Sequence, residues 1–116
     1  MFGKFENIYV LGDLGAIADE YNKLCGLREG HPEYIAPFED ILDSQEYGTD
    51  CYCYISLNNS YERDYVVNHN PSDEWYHYYQ RRAKFIDFIR NNVPSGVERV
   101  LVEVSYVRSF FGRVFP

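Results

Sequence analysis

Carboxylates and tyrosines are the residues of this chain whose type and spacing could support chemistry at a surface. Asp19 and Glu20 are adjacent in a predicted helix, and residues 27–50 contain seven acids against a single base, Arg28. Carboxylates spread along a surface can imitate phosphate charge in front of a basic site. A tyrosine adds a rigid apolar ring with a hydroxyl group, which suits it to binding surfaces. These two residue types favour a surface that binds over a centre that catalyses.

The candidate partner-binding residues are acids of the first helix and of the segment after it, with two tyrosines of the following strand: Asp19, Glu20, Glu39, Asp40, Asp43, Glu46, Asp50, Tyr52 and Tyr54. In the alternating run 51–57 (CYCYISL), the tyrosines fall on the face opposite the Cys, Ile and Leu side chains. We expect that face to be open and Tyr9 of the first strand to join it. We also expect Glu39, Asp40 and Asp43 to turn outward from a short helix.

Catalytic and metal-binding patterns are missing from the sequence. Cys51 and Cys53 form a lone Cys-x-Cys without the second pair that a zinc site requires. There is no nucleophile elbow and no glycine-rich loop that could hold a phosphate. We therefore predict no catalytic residue, no metal and no cofactor.

Charge is distributed unevenly along the 116 residues, whose net charge is −7. Residues 1–50 have a balance of −8, and residues 51–116 have a balance of +1. An acidic pole repels nucleic acid and steers the protein towards basic partners. No apolar run reaches the roughly 18 residues of a membrane span, and no basic-then-apolar leader opens the chain. The three cysteines are an odd number and too few to staple the domain, so we expect reduced thiols and a cytoplasmic protein.

The hydrophobic pattern predicts the order β-α-β-β-α-β in one domain, residues 1–116. The predicted elements are a central strand at 5–11, a helix capped by Asp13 and ended by Gly26, an acidic insert at 27–50 with a short helix after Pro37, a hairpin of strands 51–57 and 61–67, a long helix from Asn70 to Pro94, a strand at 99–107 and an apolar tail at 108–116. This order is that of a ferredoxin-like α+β fold, with an antiparallel sheet and both helices on one of its faces.

The long helix has an apolar stripe with two irregular positions. The stripe comprises Trp75, Tyr78, Tyr79, Phe85, Ile86, Ile89 and Val93. Arg82 interrupts it, so its side chain either extends past the helix edge or pairs with a buried acid such as Glu103. Phe88 lies among the polar residues as a candidate exposed anchor.

The segment Ile8-Tyr9-Val10 followed by Gly12-Asp13-Leu14 is similar to the first short motif of RNA-recognition domains. That resemblance implies stacking of bases on an open sheet face. The second motif of those domains requires glycine on a later strand, where residues 61–67 instead carry acids. Nucleic acid is therefore not the partner that we expect.

Two functional hypotheses remain. The first is a small acidic inhibitor that binds a protein partner and covers its basic, nucleic-acid-binding site. Anti-CRISPR, anti-restriction and toxin-immunity proteins resemble this chain in being small, acidic and without motifs, but no motif transfers site residues from them. The second is a homodimeric module that binds a small ligand or single-stranded nucleic acid on its open sheet face. In the first, the acids are essential; in the second, Tyr52 and Tyr54 are.

Overall fold

Four helices and a three-stranded sheet make up the parts of the chain that the computed structural model describes, residues 7–42 and 50–105. The elements are β1 (Ile8–Asp13), α1 (Leu14–Leu24), α2 (Pro37–Asp40), β2 (Asp50–Ser56), α3 (Ser60–Asn68), α4 (Tyr76–Asn91) and β3 (Arg99–Ser105). The α+β class and the short helix after Pro37 are confirmed. Asp43, Glu46 and the tail 108–116 lie outside the described residues.

The sheet has the order β1-β3-β2, so the last strand lies between the two earlier ones. Strand β3 runs parallel to β1, with Ile8 opposite Arg99, and antiparallel to β2, with Tyr54 opposite Leu101. The predicted ferredoxin-like antiparallel sheet is therefore wrong: the described sheet is mixed and has three strands. The central strand is β3, and β1, predicted to be central, lies at an edge.

Residues 61–67 account for the difference, because they form helix α3 and not the second strand of a hairpin. The side chain of Asn58 accepts hydrogen bonds from both the backbone N–H and the hydroxyl of Ser60, which begins a helix where a hairpin turn was predicted. Tyr61 and Tyr65 are four residues apart, so they share a helix face, and both rings contact Tyr79 of α4. Packing against α4 thus overrides the alternating strand-like pattern.

The long helix is also shorter than predicted, because α4 begins at Tyr76 and not after Asn70. The Asn70 side chain accepts a hydrogen bond from the backbone N–H of Ser72, and that of Asp73 accepts one from the backbone N–H of Trp75. These bonds close turns in place of a first helical turn. Trp75 is consequently the N-cap residue of α4 and does not lie within the helix.

The hydrophobic core lies between one face of the sheet and the helices. It is built around Val100, Val102 and Val104 of β3, Leu14 and Ala18 of α1, and Phe85, Ile86 and Ile89 of α4.

Asp13 caps α1 as predicted, since its carboxylate accepts a hydrogen bond of 2.9 Å from the N–H of Ala16. Gly26 has the predicted left-handed backbone, with a φ of 67°.

A buried amide holds the segment after α1 against the core. Asn22 is 4% exposed, and its side chain donates to the carbonyl of Ile35 and accepts from the N–H of Ile35, both at 3.0 Å. The two bonds satisfy the backbone N–H and carbonyl of Ile35, as pairing with a neighbouring strand would. This clamp fixes the chain just before α2 begins.

Candidate functional site

The two tyrosines predicted to be exposed lie on the sheet face that points away from the helices. Tyr52 is 66% exposed and Tyr54 is 53% exposed, while Ile55, on the other face of β2, is buried. The guanidinium group of Arg99 lies 4.5 Å from the centre of the Tyr54 ring. The predicted orientation of Tyr52 and Tyr54 is confirmed.

Tyr9 does not join this open sheet face. It is opposite Val100, whose side chain is buried on the helix side, whereas Val10 is opposite Leu101 in the same row as Tyr54. The prediction for Tyr9 is wrong because the parallel register of β1 could not be read from the sequence. The open sheet face is therefore formed by Ile8, Val10, Tyr52 and Tyr54, all of which are exposed.

The predicted acids do not gather around these tyrosines. Asp19 and Glu20 are exposed on α1, which packs on the helix side of the sheet, so the sheet separates them from Tyr52 and Tyr54. Glu39 is exposed on α2. Asp50 is the first residue of β2, opposite Ser105.

Asp40 does not turn outward, and that prediction is wrong. Its side chain is buried, with one carboxylate oxygen 3.1 Å from Nη2 of Arg81. The other oxygen accepts a 2.8 Å hydrogen bond from the backbone N–H of Ala36, the N-cap residue of α2. The ion pair with Arg81 and the hydrogen bond from Ala36 turn Asp40 back onto the chain, whereas Glu39 stays exposed.

A larger concave surface lies where α2, α3 and the start of α4 meet, and we call it the aromatic groove. It encloses about 760 Å³ and is lined by Phe38, Glu39, Asp40, Tyr61, Tyr65, Trp75, Tyr78, Tyr79 and Arg81. Six of these nine side chains are aromatic. Trp75 is 52% exposed and Tyr61 is 64% exposed, so the wall of the groove is open to solvent.

The rings form a continuous wall in which each contacts the next. Tyr79 is at its centre, with ring centroids 5.4 Å from Tyr61, 4.5 Å from Tyr65 and 5.0 Å from Tyr78. Trp75 extends the wall, 5.7 Å from Tyr78. Three of these four contacts are edge-to-face, the favourable geometry for aromatic pairs at such separations, and the Tyr65–Tyr79 pair is tilted. The wall is therefore preformed by contacts within the protein.

Two arginines of α4 attach the walls of the groove to one another. Arg81 bonds to Asp40 of α2 and, at 3.0 Å, to the carbonyl of Pro32. Arg82 bonds at 3.2 Å to the Glu62 carboxylate of α3 and also donates to two backbone carbonyls of α2 and its C-cap. Of the two alternatives predicted for Arg82, the structure shows the pair with a buried acid, and that acid is Glu62 and not Glu103.

The other irregular position of α4 packs inward. Phe88 is half-buried, with its ring 5.1 Å from that of Tyr21 and 6.3 Å from that of Phe85. The prediction of an exposed anchor at Phe88 is wrong. The exposed aromatic anchors of this helix region lie at its opposite end, in the groove.

Two phenols of the groove, those of Tyr65 and Tyr79, have raised pKa values. Tyr65 donates a 2.5 Å hydrogen bond to Asp73, which raises the pKa of Tyr65 to about 12 and lowers the pKa of Asp73. Burial raises the pKa of Tyr79, and a hydrogen bond with Tyr61 adds to the rise. These two rings therefore present uncharged π faces at physiological pH.

The net charge of the groove lining is set by Glu39. Asp40 and Arg81 neutralise each other at 3.1 Å. Glu39 is exposed and has no ion-pair partner within residues 7–42 and 50–105. An aromatic wall beside an unpaired carboxylate favours a positively charged ligand, since ring faces and carboxylates both attract cations.

The sequence contained two signals for this groove. One is the i, i+4 spacing of Tyr61 and Tyr65, which became visible only once residues 61–67 were known to be helical. The other is the concentration of Trp75, Tyr78 and Tyr79 at one end of the apolar stripe of the long helix. Residues with a polar tip at a helix end suit a half-exposed wall better than a core.

Comparison with protein-family models, with curated proteins and with solved structures found no match. In the part of the chain that the structure describes, no three His, Cys, Asp or Glu side chains are grouped as metal ligands. Within the same residues, no helix is long and apolar enough to cross a membrane.

Proposed function

We propose that this protein is an inhibitor that binds a partner protein and covers a basic site on it, of the kind that binds nucleic acid. The observation that carries the proposal is the aromatic groove, an open wall of six aromatic side chains beside the unpaired carboxylate of Glu39. Tyrosine and tryptophan are the residues that most often dominate binding energy in protein interfaces. The net charge of −7 selects a partner of the opposite sign.

Two features of the groove support a protein as the ligand. The wall is preformed, so binding costs little ordering of side chains. It is also wide and open, with Trp75 and Tyr61 more than half exposed, which suits a protruding segment of a partner better than a fully enclosed small molecule. Asp19, Glu20, Asp43, Glu46 and Asp50 contribute in this proposal to the attraction at longer range.

The test is an affinity capture with the tagged protein, run with and without nuclease and at rising salt. We expect a stoichiometric protein partner that is retained after nuclease treatment and released by salt. The double variant Tyr61→Ala/Trp75→Ala and the single variant Glu39→Lys should each lose it. Glu98→Lys is the matched control, because Glu98 is exposed and lies away from the groove. Its backbone carbonyl accepts a hydrogen bond from the N–H of Leu57. The carbonyl of Leu57 in turn accepts one from Arg90, at the end of α4 opposite the groove.

Inhibition requires a second measurement on the captured complex. The partner should bind nucleic acid alone and lose that binding when the protein is added, but not when Glu39→Lys is added. Capture that survives in both groove variants, with unchanged circular dichroism, contradicts the proposal. So does a partner whose nucleic-acid binding is unaffected by the complex.

The cytoplasm is the compartment that we propose. Cys25 and Cys53 are thiols, and Cys25 is exposed, which agrees with a reducing environment.

A second function is favoured by the open sheet face, on which Ile8 and Val10 of β1 and Tyr52 and Tyr54 of β2 are exposed on either side of β3. Exposed apolar and aromatic side chains that share one sheet face often mark a site of association. In this alternative, the chain forms a homodimer or binds a small ligand or single-stranded nucleic acid across the sheet. Tyr52→Ser/Tyr54→Ser should then convert a dimer to a monomer in light scattering or abolish ligand binding, whereas Glu39→Lys should have no effect.

A further inference from the structure

We infer that the aromatic groove binds arginine side chains presented by an extended segment of the partner. This inference rests on the proposed function and specifies the chemistry that the groove recognises. It follows from the length of the aromatic wall, from the contacts that tyrosine rings already make in this protein, and from the charge of Glu39.

The length of the wall suits a short stretch of extended chain. From Tyr61 through Tyr79 and Tyr78 to Trp75, the successive ring centroids are 5.4, 5.0 and 5.7 Å apart. An extended chain advances about 3.3–3.6 Å per residue, so about four or five residues follow this path. Alternate side chains of such a segment point to the same side and would reach the wall about every second residue.

Tyrosine faces of this protein already receive guanidinium groups, one in the groove itself at Tyr78 and one on the open sheet face at Tyr54. Arg82 lies 5.7 Å from the centre of the Tyr78 ring, and Arg99 lies 4.5 Å from the centre of the Tyr54 ring. Both distances are within the range of cation–π contacts. A partner's arginine on Trp75 or Tyr61 would repeat a contact for which the rings are suited. These two rings are the most exposed of the wall.

Glu39 decides between a cation and a neutral ligand. The Glu39 carboxylate lies beside the wall and has no ion pair inside the described ranges. A proline-rich or other neutral segment that covered it would remove its hydration without supplying a partner, which costs free energy. A guanidinium group stacked on a ring face keeps its N–H groups free in its own plane, so it can donate to this carboxylate at the same time. An anionic ligand would be repelled by the same group.

Arginine fits this arrangement better than lysine. Guanidinium is planar and weakly hydrated, so it stacks on a ring while its N–H groups still donate in the guanidinium plane. An ammonium group is compact and strongly hydrated, and it must give up more hydration to approach a ring face. We therefore expect discrimination between the two cations, beyond general attraction of positive charge.

The experiment uses the chain's single tryptophan, Trp75, as the reporter, because its fluorescence comes from the groove itself. The probes are capped five-residue peptides of alternating glycine and arginine, with lysine, citrulline and proline in place of arginine in the matched peptides. Isothermal titration calorimetry repeats each titration, so that a ligand without an optical effect is still detected. Wild type, Glu39→Gln and the distant control Glu98→Gln are compared.

We expect saturable binding of the arginine peptide, with about tenfold weaker binding of the citrulline peptide, since one cation–π contact with its charge is worth about 1–2 kcal/mol. The lysine peptide should bind at least about threefold more weakly than the arginine peptide. Glu39→Gln should weaken arginine binding about fivefold and flatten its salt dependence, while Glu98→Gln should leave both unchanged.

Equal affinity of the arginine and citrulline peptides, or of arginine and lysine, overturns the inference, and so does tighter binding of the proline peptide. Absence of arginine binding in both fluorescence and calorimetry overturns it as well. If the affinity capture still depends on Tyr61, Trp75 and Glu39 in that case, the proposed function stands and only its arginine chemistry fails. If the capture is also independent of the groove, the proposed function itself fails.

Discussion

Replacing Arg82 with methionine should destabilise the protein more than any exposed charge change on the same helix. Methionine keeps the unbranched shape of the side chain but removes the charge and the donors. The change leaves the Glu62 carboxylate, 10% exposed, without its cation. It also removes the donor from the carbonyls of Asp40 and Ile41.

The magnitude follows from how far this pair is buried. Breaking a buried ion pair from one side costs about 3–5 kcal/mol, because the remaining charge stays desolvated. The Arg82 side chain is 20% exposed, so we expect the lower end, about 3 kcal/mol. With a urea slope of about 1–3 kcal/mol per molar, the midpoint should fall by roughly 1–3 M. A loss of this size is a large share of the about 5–15 kcal/mol that stabilises a typical domain.

The assay is urea unfolding followed by circular dichroism for Arg82→Met, Glu62→Leu and the double variant. The double variant should be more stable than the sum of the two losses predicts, by about 2 kcal/mol, because it buries no unpaired charge. Lys84→Met is the matched control on α4: its partner Glu33 is 2.7 Å away, but the lysine side chain is 48% exposed. Such a pair contributes at most about 1 kcal/mol.

The reasoning is refuted if Arg82→Met costs no more than Lys84→Met. It is also refuted if the Arg82 and Glu62 losses add within about 0.5 kcal/mol, since additivity would mean that the two groups do not interact in the folded state.

Three further predictions concern single groups. Asp73→Asn should lower the pKa of Tyr65 from about 12 towards 10, as measured by phenolate absorbance; the stability difference from wild type should be constant between the two usual pKa values, 3.8 and 10.0, and vanish as pH falls well below 3.8 or rises through 12. An unchanged titration curve would contradict the hydrogen bond. Asn22→Ala should lower the free energy of unfolding by about 2 kcal/mol, because it leaves a buried N–H and a buried carbonyl unpaired; a loss below about 0.5 kcal/mol in urea unfolding would exclude the clamp. Cys25 should react with iodoacetamide faster than Cys53 in the folded protein, as site-resolved mass spectrometry would show, because Cys25 is exposed and Cys53 is partly buried. Equal rates would contradict the placement of Cys53 against the core.

The sequence predicted the features that depend on local pattern. The alternation in 51–57 placed Tyr52 and Tyr54 on the exposed face, and the spacing from Asp13 located the start of α1. The polar residue in the apolar stripe of α4 did mark a buried ion pair. Each of these follows from the period of one helix or one strand.

The sequence could not predict the features that depend on distant partners. Whether residues 61–67 form a strand or a helix is decided by contacts of Tyr61 and Tyr65 with Tyr79, and no local pattern contains them. The parallel pairing of β1 with β3 set the face of Tyr9 in the same way. The aromatic groove depends on three helices at once, so it became visible only with the fold.

The position of β3 between β1 and β2 has a consequence for how the chain is made. Both described strand pairings of the sheet involve residues 99–105, so a ribosome must have synthesised past them before either pairing can form. Helices α3 and α4 are neighbours in sequence and pack against each other, so they can associate as soon as Asn91 has emerged. The tyrosine wall between them can thus assemble on the nascent chain while β1 and β2 still wait for the strand that joins them.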